Sequence, residues 1–408
     1  MTSSFVFETQ FKGQKSFYDL VSRTVLPITA SEDELSYCNM LEGQESNSLE
    51  TRLFRSPKHV GFRIIPTWQC NLRCPHCYVM HDLKGPAAEV GLEFPVDDFV
   101  GFVERLHDRY KFTHMTLAFL GGESFLKPET CSTVIDKIDA LVLERGIKIR
   151  KIVTSNLCYN IGEQEEAYLK KLDHITVSVD GPEHVHNAQR KSATVKNPYR
   201  QTISNLHKIM SYMNGKVSVQ GAIGFEDATP QNIADFIYVI TSLGIPREKI
   251  QLGYKASTKR YTSDRDNETE FLKTHEFFTT PCCAWRFMSN FIVGPNGMVS
   301  GDFHDTKQSS LGYVHDPVKT IEQAFKDNIY KNMAVLNDET CKKCPALGVC
   351  WGRCVNTRPA TENKPSLYCD QKGLIEKVKT MADAGTLVES FDYHIENPHV
   401  PSWKEIDG

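Results

Sequence analysis

Residues 61–256 alternate between short β-rich runs and amphipathic stretches, and this alternation restricts the fold more than any other feature of the chain. Six runs have the composition of strands, and they read GFRIIPT, HMTLAFL, KIRKIVTS, HITVSVD, KVSVQGAI and KIQLGYK. Helices are predicted between them at PVDDFVGFVERLHDRY, at PETCSTVIDKIDALVLER, and near residues 161–172, 198–213 and 229–243. Alternating strands and helices form parallel sheets, and right-handed crossovers curl such sheets into full or partial barrels. The predicted fold class is therefore α/β, with a barrel of the (β/α)6 type.

Residues suited to chemistry directly follow the predicted strands. In barrels of this kind the active site is built from loops at the C-terminal ends of the strands. We therefore expect the residues at these ends to form one site. They are Cys70, Cys74 and Cys77 after the first strand, Gly121, Gly122 and Glu123 after the second, Ser155 and Asn156 at the end of the third, and Ser178 and Asp180 at the end of the fourth.

The segment CNLRCPHCY, residues 70–78, has three cysteines at the spacing C-x3-C-x2-C. A closed zinc or iron-sulfur site normally takes four protein ligands. One interpretation is a four-iron cluster held by Cys70, Cys74 and Cys77, with its fourth iron open to another ligand. The other is a zinc site with His76 as the fourth ligand, which would be strained because His76 lies between two of the cysteines. The spacing alone leaves both open.

Thirteen cysteines are many for a chain without an export signal, so metal ligation is a better interpretation than a disulfide framework. Cys38, Cys131 and Cys158 stand alone and are predicted to pack in the interior. A net charge of −4, with both signs interspersed, argues against a nucleic-acid partner. The chain has no run of about 18 apolar residues, so we expect no membrane partner and a cytoplasmic location.

Between about residue 62 and residue 370 the chain resembles the radical S-adenosylmethionine (SAM) superfamily. The cysteine spacing after the first strand is similar to that superfamily's signature, and LGGESFL after the second strand resembles its GGE motif. The resemblance implies that the open iron of a 4Fe-4S cluster takes the amino and carboxylate groups of SAM. One-electron reduction would then cleave SAM to methionine and a 5′-deoxyadenosyl radical, which abstracts a hydrogen atom.

The resemblance also implies a set of cofactor-binding residues. The GGE loop would hold the methionine amino group, since glycine permits close backbone approach and Glu123 offers a carboxylate or backbone acceptor. Arg190, in VSVDGPEHVHNAQR, would bind the SAM carboxylate or ribose together with Ser178, because its guanidinium group suits a carboxylate. Tyr78 would lie near adenine. The whole predicted set is Tyr78, Gly121, Gly122, Glu123, Asn156, Ser178 and Arg190.

A dense C-terminal group of cysteines has the spacing C-x2-C-x5-C-x3-C-x14-C, which resembles the SPASM extension of radical SAM enzymes. By resemblance, this module carries two auxiliary 4Fe-4S clusters. The second would be bound by all these cysteines except Cys354, which would cross to the first. A zinc ribbon is the alternative interpretation. The group consists of Cys341, Cys344, Cys350, Cys354 and Cys369.

The first auxiliary cluster is where the sequence departs from the family pattern. Cys282 and Cys283 precede Gly297, and Asp302 then stands where the family has a cysteine. Asp302 is predicted to be an oxygen ligand of the cluster. Alternatively it is a catalytic base, since GDFHD resembles the cysteine-aspartate-phenylalanine loop of sulfatase-maturing enzymes. Loss of the cluster, ligation by both Cys282 and Cys283, or a plain surface turn at Asp302 are the further possibilities.

These patterns predict a chain of four parts. The alternation stops after residue 256, so we place the main boundary near residue 270. The parts are an N-terminal extension without an assigned role at 1–58, a radical SAM partial barrel at 59–270, a small cysteine-rich α+β SPASM domain at 271–375, and a C-terminal helix and tail at 376–408.

The family resemblance implies a peptide or protein substrate and an external electron donor such as flavodoxin or ferredoxin. The first functional hypothesis is therefore maturation of a ribosomally made peptide by crosslinking or oxidation. The second is sulfatase maturation, in which a cysteine or serine is oxidised to formylglycine. Small-molecule dehydrogenation is the third, and a zinc-binding interaction protein is the alternative without catalysis.

Overall fold

The computed structural model describes residues 6–11, 14–19, 24–27, 59–77, 79, 92–224, 226–254, 290–301 and 310–332. These residues belong to two compact units. The first unit contains the described residues before position 57 and those from 321 onwards. The second contains the described residues from 59 to 320, and all the predicted site residues that the structure describes lie in it.

In the first unit, three antiparallel strands form a small sheet near the N-terminus. They are β1 (Val6–Phe11), β2 (Gln14–Asp19) and β3 (Thr24–Pro27). The strand β2 lies in the middle and pairs with both neighbours. The sequence analysis left this segment without an assigned structure, and the sheet is therefore a finding of the structure.

The second unit is built on a sheet of nine strands. They are β4 (His59–Ile64), β5 (His114–Phe119), β6 (Lys148–Ser155), β7 (His174–Ser178), β8 (Val217–Ile223), β9 (Ile250–Tyr254), β10 (Asn290–Val293), β11 (Met298–Ser300) and β12 (Ser310–Tyr313). Strands β4 to β9 are parallel, and each pairs with the next along the chain. The six predicted strands are thus confirmed, and they form the open parallel sheet of a partial barrel.

Helices connect the parallel strands. They are α1 (Val96–Tyr110), α2 (Pro128–Arg145), α3 (Glu163–Lys170), α4 (Glu183–Gln189), α5 (Pro198–Met210) and α6 (Pro230–Ser242), and α7 (Val318–Asn332) follows the last strand. The five helices that the sequence predicts in this region are confirmed as α1, α2, α3, α5 and α6. The helix α4 was not predicted, because its seven residues are too few for a clear helical period. Among the described helices, none is both long and apolar enough to cross a bilayer.

Phe62 in β4 shows which face of the sheet packs against the helices. Its ring lies 5.5 Å from that of Phe99 and 6.3 Å from that of Phe102, both on α1, and it stacks on Phe291 at 5.7 Å. All four side chains are fully buried, and each such side chain contributes about 1.5–3 kcal/mol. Because side chains alternate along a strand, Arg63 faces the interior of the barrel.

The barrel interior is polar near the beginnings of the strands. Arg150 on β6 is fully buried, and its Nη2 donates to Oγ1 of Thr116 on β5 at 3.4 Å. His174 on β7 is also buried, with its Nε2 2.8 Å from Oγ of Ser218 on β8. Buried polar groups need such partners, since an unmade hydrogen bond costs about 1–3 kcal/mol. Polar side chains from β5 to β8 therefore occupy this end of the barrel, and the loops at the opposite end carry the predicted site residues.

Three further strands extend the sheet beyond β4. The strand β10 pairs with β4 in parallel, with Asn290 beside Gly61 and Val293 beside Ile64. Strands β11 and β12 continue in antiparallel fashion. The sequence analysis assigns residues 271–375 to the SPASM domain and predicts no individual strands there, and the structure adds β10, β11 and β12 to the barrel sheet. The boundary near residue 270 lies outside the described residues, so the four-part division stays a prediction.

Candidate active site

Three cysteines lie on the loop that follows β4. The thiols of Cys70, Cys74 and Cys77 are reduced and partly buried. The backbone N–H of Cys77 donates to the carbonyl oxygen of Cys74 at 3.0 Å, which closes a turn around the intervening Pro75 and His76. The predicted neighbour Tyr78 lies outside the described residues.

The cysteine loop is fastened to the segment that follows α4. The N–H of Arg73 donates to the carbonyl oxygen of Lys191 at 2.7 Å, and Leu72 forms an antiparallel bridge with Ser192. The hydroxyl of Ser192 also donates to the carbonyl oxygen of Asn71 at 3.3 Å. The loop between the first two cysteines is therefore held by its contacts with Lys191 and Ser192, which limit its freedom before any metal binds.

The glycines after β5 bring a second loop against the cysteine loop. The N–H of Gly122 donates to the carbonyl oxygen of Thr67 at 3.1 Å, and that of Glu123 to the carbonyl oxygen of Gln69 at 2.8 Å. A Cβ atom on Gly122 would lie 2.0 Å from that Gln69 oxygen. Gly121 has φ of 122°, a conformation that favours glycine. The two glycines therefore allow one loop to touch the other, a contact that the sequence analysis did not anticipate.

The side chain of Glu123 is directed into the protein and is almost fully buried. Its carboxylate accepts hydrogen bonds from the hydroxyl of Ser155 at 3.0 Å and from the N–H groups of Asn156 at 2.9 Å and Phe125 at 3.3 Å. Burial raises the pKa of Glu123 to about 7, although these hydrogen bonds oppose the shift. The carboxylate thus orders the loop after β6, and the backbone of the GGE loop is left as the acceptor for a ligand.

Asn156, at the end of β6, connects that loop to the cysteines. Its side-chain N–H group donates to Oδ1 of Asn71 at 2.9 Å and lies 3.7 Å from the sulfur of Cys70. Its side-chain oxygen accepts from the N–H of Cys158 at 2.7 Å. Buried amides are normally fully hydrogen-bonded. Asn71 itself was missed in the sequence analysis, and the only available signal was a polar residue beside the first cysteine.

Asp180 and Arg190 form a buried ion pair beside the cysteine loop. The Nε of Arg190 donates to Oδ2 of Asp180 at 2.7 Å, and its Nη2 donates to Oδ1 at 2.9 Å. The side chain of Asp180 is fully buried, and that of Arg190 is 14% exposed. Burial alone would raise the pKa of Asp180, but the charge and hydrogen bonds of Arg190 outweigh it and hold this pKa below its usual range. The predicted partner Ser178 is partly exposed at the end of β7.

His76 also approaches this ion pair. Its Nε2 lies 3.8 Å from Oδ2 of Asp180, so the histidine between the second and third cysteines turns towards the carboxylate. The alternative interpretation, in which His76 is a zinc ligand, would use Nδ1 for the metal while Nε2 stays beside the carboxylate.

The contacts above join the cysteine loop, the GGE loop and Asn156, which are predicted parts of the site.

The isolated cysteines Cys131 and Cys158 are fully buried, as predicted for packing residues. Other predicted residues lie outside the described ranges, and their roles stay predictions; they are Cys38, Tyr78, Cys282, Cys283, Asp302, Cys341, Cys344, Cys350, Cys354 and Cys369.

The chemistry of the donor set fits a 4Fe-4S cluster with one open iron. Burial raises the pKa of Cys70 to about 12 and that of Cys74 to about 11, with Glu123 adding to the first shift and Arg190 opposing the second. Such thiols become thiolates when a metal binds, since a coordinating thiol is deprotonated outright. Among the residues that the structure describes, no group of three or more His, Cys, Asp and Glu side chains is arranged to hold a metal ion. The fit therefore rests on the donor types and on the anchored loop.

Comparisons with known proteins agree with this geometry. Residues 61–204 match the family described as a 4Fe-4S single cluster domain. The structure is similar to that of anSMEcpe with bound AdoMet and the Cp18Cys peptide, at 16% identity and a TM-score of 0.60, covering 83% of this chain and 99% of that one. Another structure of anSMEcpe with bound AdoMet gives 15% identity and a TM-score of 0.57, covering 82% and 99%. The chain therefore has the partial-barrel fold of these AdoMet-bound proteins.

A third similar structure is SuiB from Streptococcus suis bound to S-adenosylmethionine. It is 15% identical to this chain, with a TM-score of 0.50, and covers 91% of this chain and 98% of its own. No curated protein matches the sequence. At these identities the likeness establishes the fold, and the activity has to be argued from the site.

Proposed function

We propose that this chain is a radical SAM enzyme that binds a 4Fe-4S cluster through Cys70, Cys74 and Cys77. The observation that carries the proposal is the position of the cysteine loop. It lies at the carboxyl end of the first barrel strand, and two backbone hydrogen bonds join it to the GGE loop. When bound, the cluster would supply the electron that cleaves SAM to methionine and a 5′-deoxyadenosyl radical, which takes a hydrogen atom from the substrate.

The protein's own residues would bind and orient SAM. Arg190 gives its Nε edge to Asp180, which leaves donors on Nη1 and Nη2 for the carboxylate of methionine. Backbone carbonyl groups of Gly121 and Gly122 are suited to the methionine ammonium group, since the Glu123 carboxylate is engaged elsewhere. Ser178 would border the ribose side. The loop contacts keep these groups in place, so SAM would enter a site that is already ordered.

The reaction proposed for this site is modification of a peptide or protein side chain, most simply maturation of a ribosomally made peptide by crosslinking or oxidation. This part of the proposal is supported by the resemblance of the C-terminal cysteines to a SPASM module and by the peptide bound in the anSMEcpe structure. An external donor such as flavodoxin or ferredoxin would deliver the electron.

Sulfatase maturation is the second candidate. The anSMEcpe structure gives a TM-score of 0.60, against 0.50 for SuiB. In addition, Asp302 and Phe303 stand side by side, as in the loop of sulfatase-maturing enzymes. The two candidates differ in their products. Formylglycine is an aldehyde that hydrazide reagents trap, whereas a crosslinked peptide loses hydrogen and gives no trapped product. Mass spectrometry of cysteine- and serine-containing peptides after incubation would separate them.

The first test is formation of 5′-deoxyadenosine by the anaerobically reconstituted, dithionite-reduced protein supplied with SAM. We expect the wild type to form it, and the variant Cys74→Ala to form none above background, because a cluster held by two thiolates lacks a ligand. A matched control is Cys131→Ala, which removes a buried thiol from α2 outside the cysteine loop and should keep the activity.

Two results would contradict the proposal. Cleavage of SAM that survives in Cys74→Ala would place the chemistry at another cluster. Zinc in place of iron in the loop of the purified protein, with no cleavage after iron reconstitution, would support the zinc-binding interaction protein instead.

Asp302 offers a separate test of the auxiliary cluster. If Asp302 is a cluster ligand, Asp302→Ala should lower the iron content by about one cluster per chain. Colorimetric iron analysis beside the wild type would measure this. Unchanged iron together with lost product formation, while SAM is still cleaved, would instead indicate a catalytic base.

A further inference from the structure

The side chain of Asn156 is fixed at every polar atom. Its oxygen Oδ1 accepts from the backbone N–H of Cys158 at 2.7 Å, so this atom has to be the carbonyl oxygen. The other end of the amide is therefore the NH2 group, although oxygen and nitrogen of an amide are otherwise hard to distinguish. That NH2 group faces Oδ1 of Asn71 at 2.9 Å and the sulfur of Cys70 at 3.7 Å.

The backbone of Asn156 is equally constrained. Its N–H donates to the buried Glu123 carboxylate at 2.9 Å, and its carbonyl oxygen accepts from the hydroxyl of Thr202 at 3.0 Å. The whole residue is only 6% exposed. An amide held at both backbone groups and at its own oxygen cannot turn towards another partner without breaking several hydrogen bonds. Its donor is therefore preorganised towards Cys70.

Cys70 receives a second donor from its own loop. The backbone N–H of Leu72 lies 3.4 Å from the Cys70 sulfur and donates to it. Both donors point at a sulfur that would carry negative charge as a cluster ligand. Hydrogen bonds to the sulfurs are one of the factors that set the reduction potential of an iron-sulfur cluster, together with net charge and solvent exposure.

We propose that Asn156 is a positioning residue for the cluster rather than a SAM ligand: its N–H···S hydrogen bond to Cys70 raises the cluster's reduction potential. The inference rests on the proposed function. Reduction adds one electron, delivered by an external donor, and the extra negative charge is spread over the iron and sulfur atoms. A donor aimed at Cys70 stabilises the reduced state more than the oxidised state, so it eases the step that must precede SAM cleavage.

The test uses the reconstituted full chain and the variants Asn156→Ala and Asn156→Asp. Reduced protein is titrated at controlled potentials, and the cluster is followed through the electron paramagnetic resonance signal that changes when SAM is added. We expect Asn156→Ala to lower the equilibrium constant for reduction about tenfold, which corresponds to about 59 mV for one electron. The dissociation constant of SAM, from equilibrium dialysis, should stay within about twofold, since the substitution removes no SAM ligand.

Asn156→Asp and one further variant, Thr202→Val, keep the result interpretable. Asn156→Asp keeps the acceptor for Cys158 but replaces the donor with a charged oxygen that faces Oδ1 of Asn71 and the sulfur of Cys70, so its potential should fall at least as far as that of Asn156→Ala. Thr202→Val removes the hydroxyl that donates to the Asn156 carbonyl oxygen but leaves both side-chain bonds of Asn156 in place, so its potential should lie much closer to the wild type than that of Asn156→Ala. A deuteron coupling from exchangeable N–H groups near the reduced cluster should be present in Thr202→Val and weaker in both Asn156 variants.

Distinct outcomes would overturn the inference or its premise. Unchanged potentials in both iron-loaded Asn156 variants would show that the amide does not act on the cluster. A weaker affinity for SAM at an unchanged potential would make Asn156 a SAM ligand. If the wild type takes up no cluster at this loop, the proposed function fails and the inference with it, whereas a loaded wild type with insensitive variants refutes the inference alone.

Discussion

Gly122→Ala is expected to abolish cluster binding at Cys70, Cys74 and Cys77. The new Cβ would lie 2.0 Å from the carbonyl oxygen of Gln69 and 2.6 Å from that of Trp68. These are backbone atoms, so no side chain can rotate away to make room. The GGE loop would have to withdraw from the cysteine loop and lose the two hydrogen bonds that join them.

Gly122→Ala is expected to lower the free energy of unfolding by about 3 kcal/mol or more. Overpacking typically costs about 1–3 kcal/mol, and here the backbone itself has to move. Denaturant unfolding of the apoprotein, followed by circular dichroism, measures the stability, and iron analysis after reconstitution measures the cluster. Gly101→Ala is the matched control. It lies within α1, and its Cβ would meet only the end of the flexible Arg105 side chain at 3.2 Å.

Alanine inside a helix is about 0.5–1 kcal/mol more stable than glycine, so Gly101→Ala should be neutral or slightly stabilising. The two variants thus introduce the same methyl group with opposite expected effects. Wild-type iron content and stability in Gly122→Ala would show that the two loops are not packed as closely as described here.

Asp180→Leu is expected to lower the free energy of unfolding by about 3–5 kcal/mol, because it leaves the guanidinium group of Arg190 without its counter-charge. The carboxylate also accepts a hydrogen bond from the N–H of Ala222 at 2.9 Å, so a partly buried backbone donor loses its partner as well. Since Asp180 joins the ends of β7 and β8 to Arg190, SAM binding should weaken together with stability.

The double variant Asp180→Leu/Arg190→Met separates these two effects. Replacing both members of a buried ion pair by apolar residues is often neutral, so much of the stability should return. The affinity for SAM should not return, because the donor for its carboxylate is gone. Denaturant unfolding and equilibrium dialysis with SAM measure the two quantities.

An exposed ion pair provides the control. Lys137 pairs with Asp97, and their side chains are 45% and 83% exposed. Lys137→Met should change stability by no more than about 1 kcal/mol, since exposed pairs contribute little. A similarly small effect of Asp180→Leu would mean that the pair with Arg190 is not buried. Recovery of SAM affinity in the double variant would exclude Arg190 as a SAM ligand.

Local pattern was sufficient for the elements that flank the site. The strands β4 to β9 and the helices α1, α2, α3, α5 and α6 each have a clear period in sequence, so their existence and order could be predicted. The cysteine spacing likewise depends only on neighbouring positions. The chemistry at Cys70, Cys74 and Cys77 could be proposed before the structure was known because this spacing resembles the radical SAM signature.

Other elements could not be predicted because their stability comes from distant partners. The strand β10 has four residues, and only its parallel pairing with β4, across more than two hundred positions of the chain, places it in the barrel sheet. The strand β3 also has four residues, the strands β1 and β2 lie in a segment of weak periodicity, and the helix α4 has no recognisable period. Short segments carry too little local preference to decide between structures without their tertiary contacts.

The sequence by itself determined that a parallel α/β sheet would place cysteines, glycines and charged residues at one end of its strands, because strand periodicity and chain order are local properties. Tertiary structure decided what those residues touch. In the sequence, a glycine indicates only that another group packs closely against the backbone. At Gly122 the structure shows that this group is the backbone of the cysteine loop. Arg190 and Asp180 were recognised separately, but their pairing depends on the folded chain. The hydrogen bond from Asn156 to Cys70 likewise forms between two loops that only folding brings together.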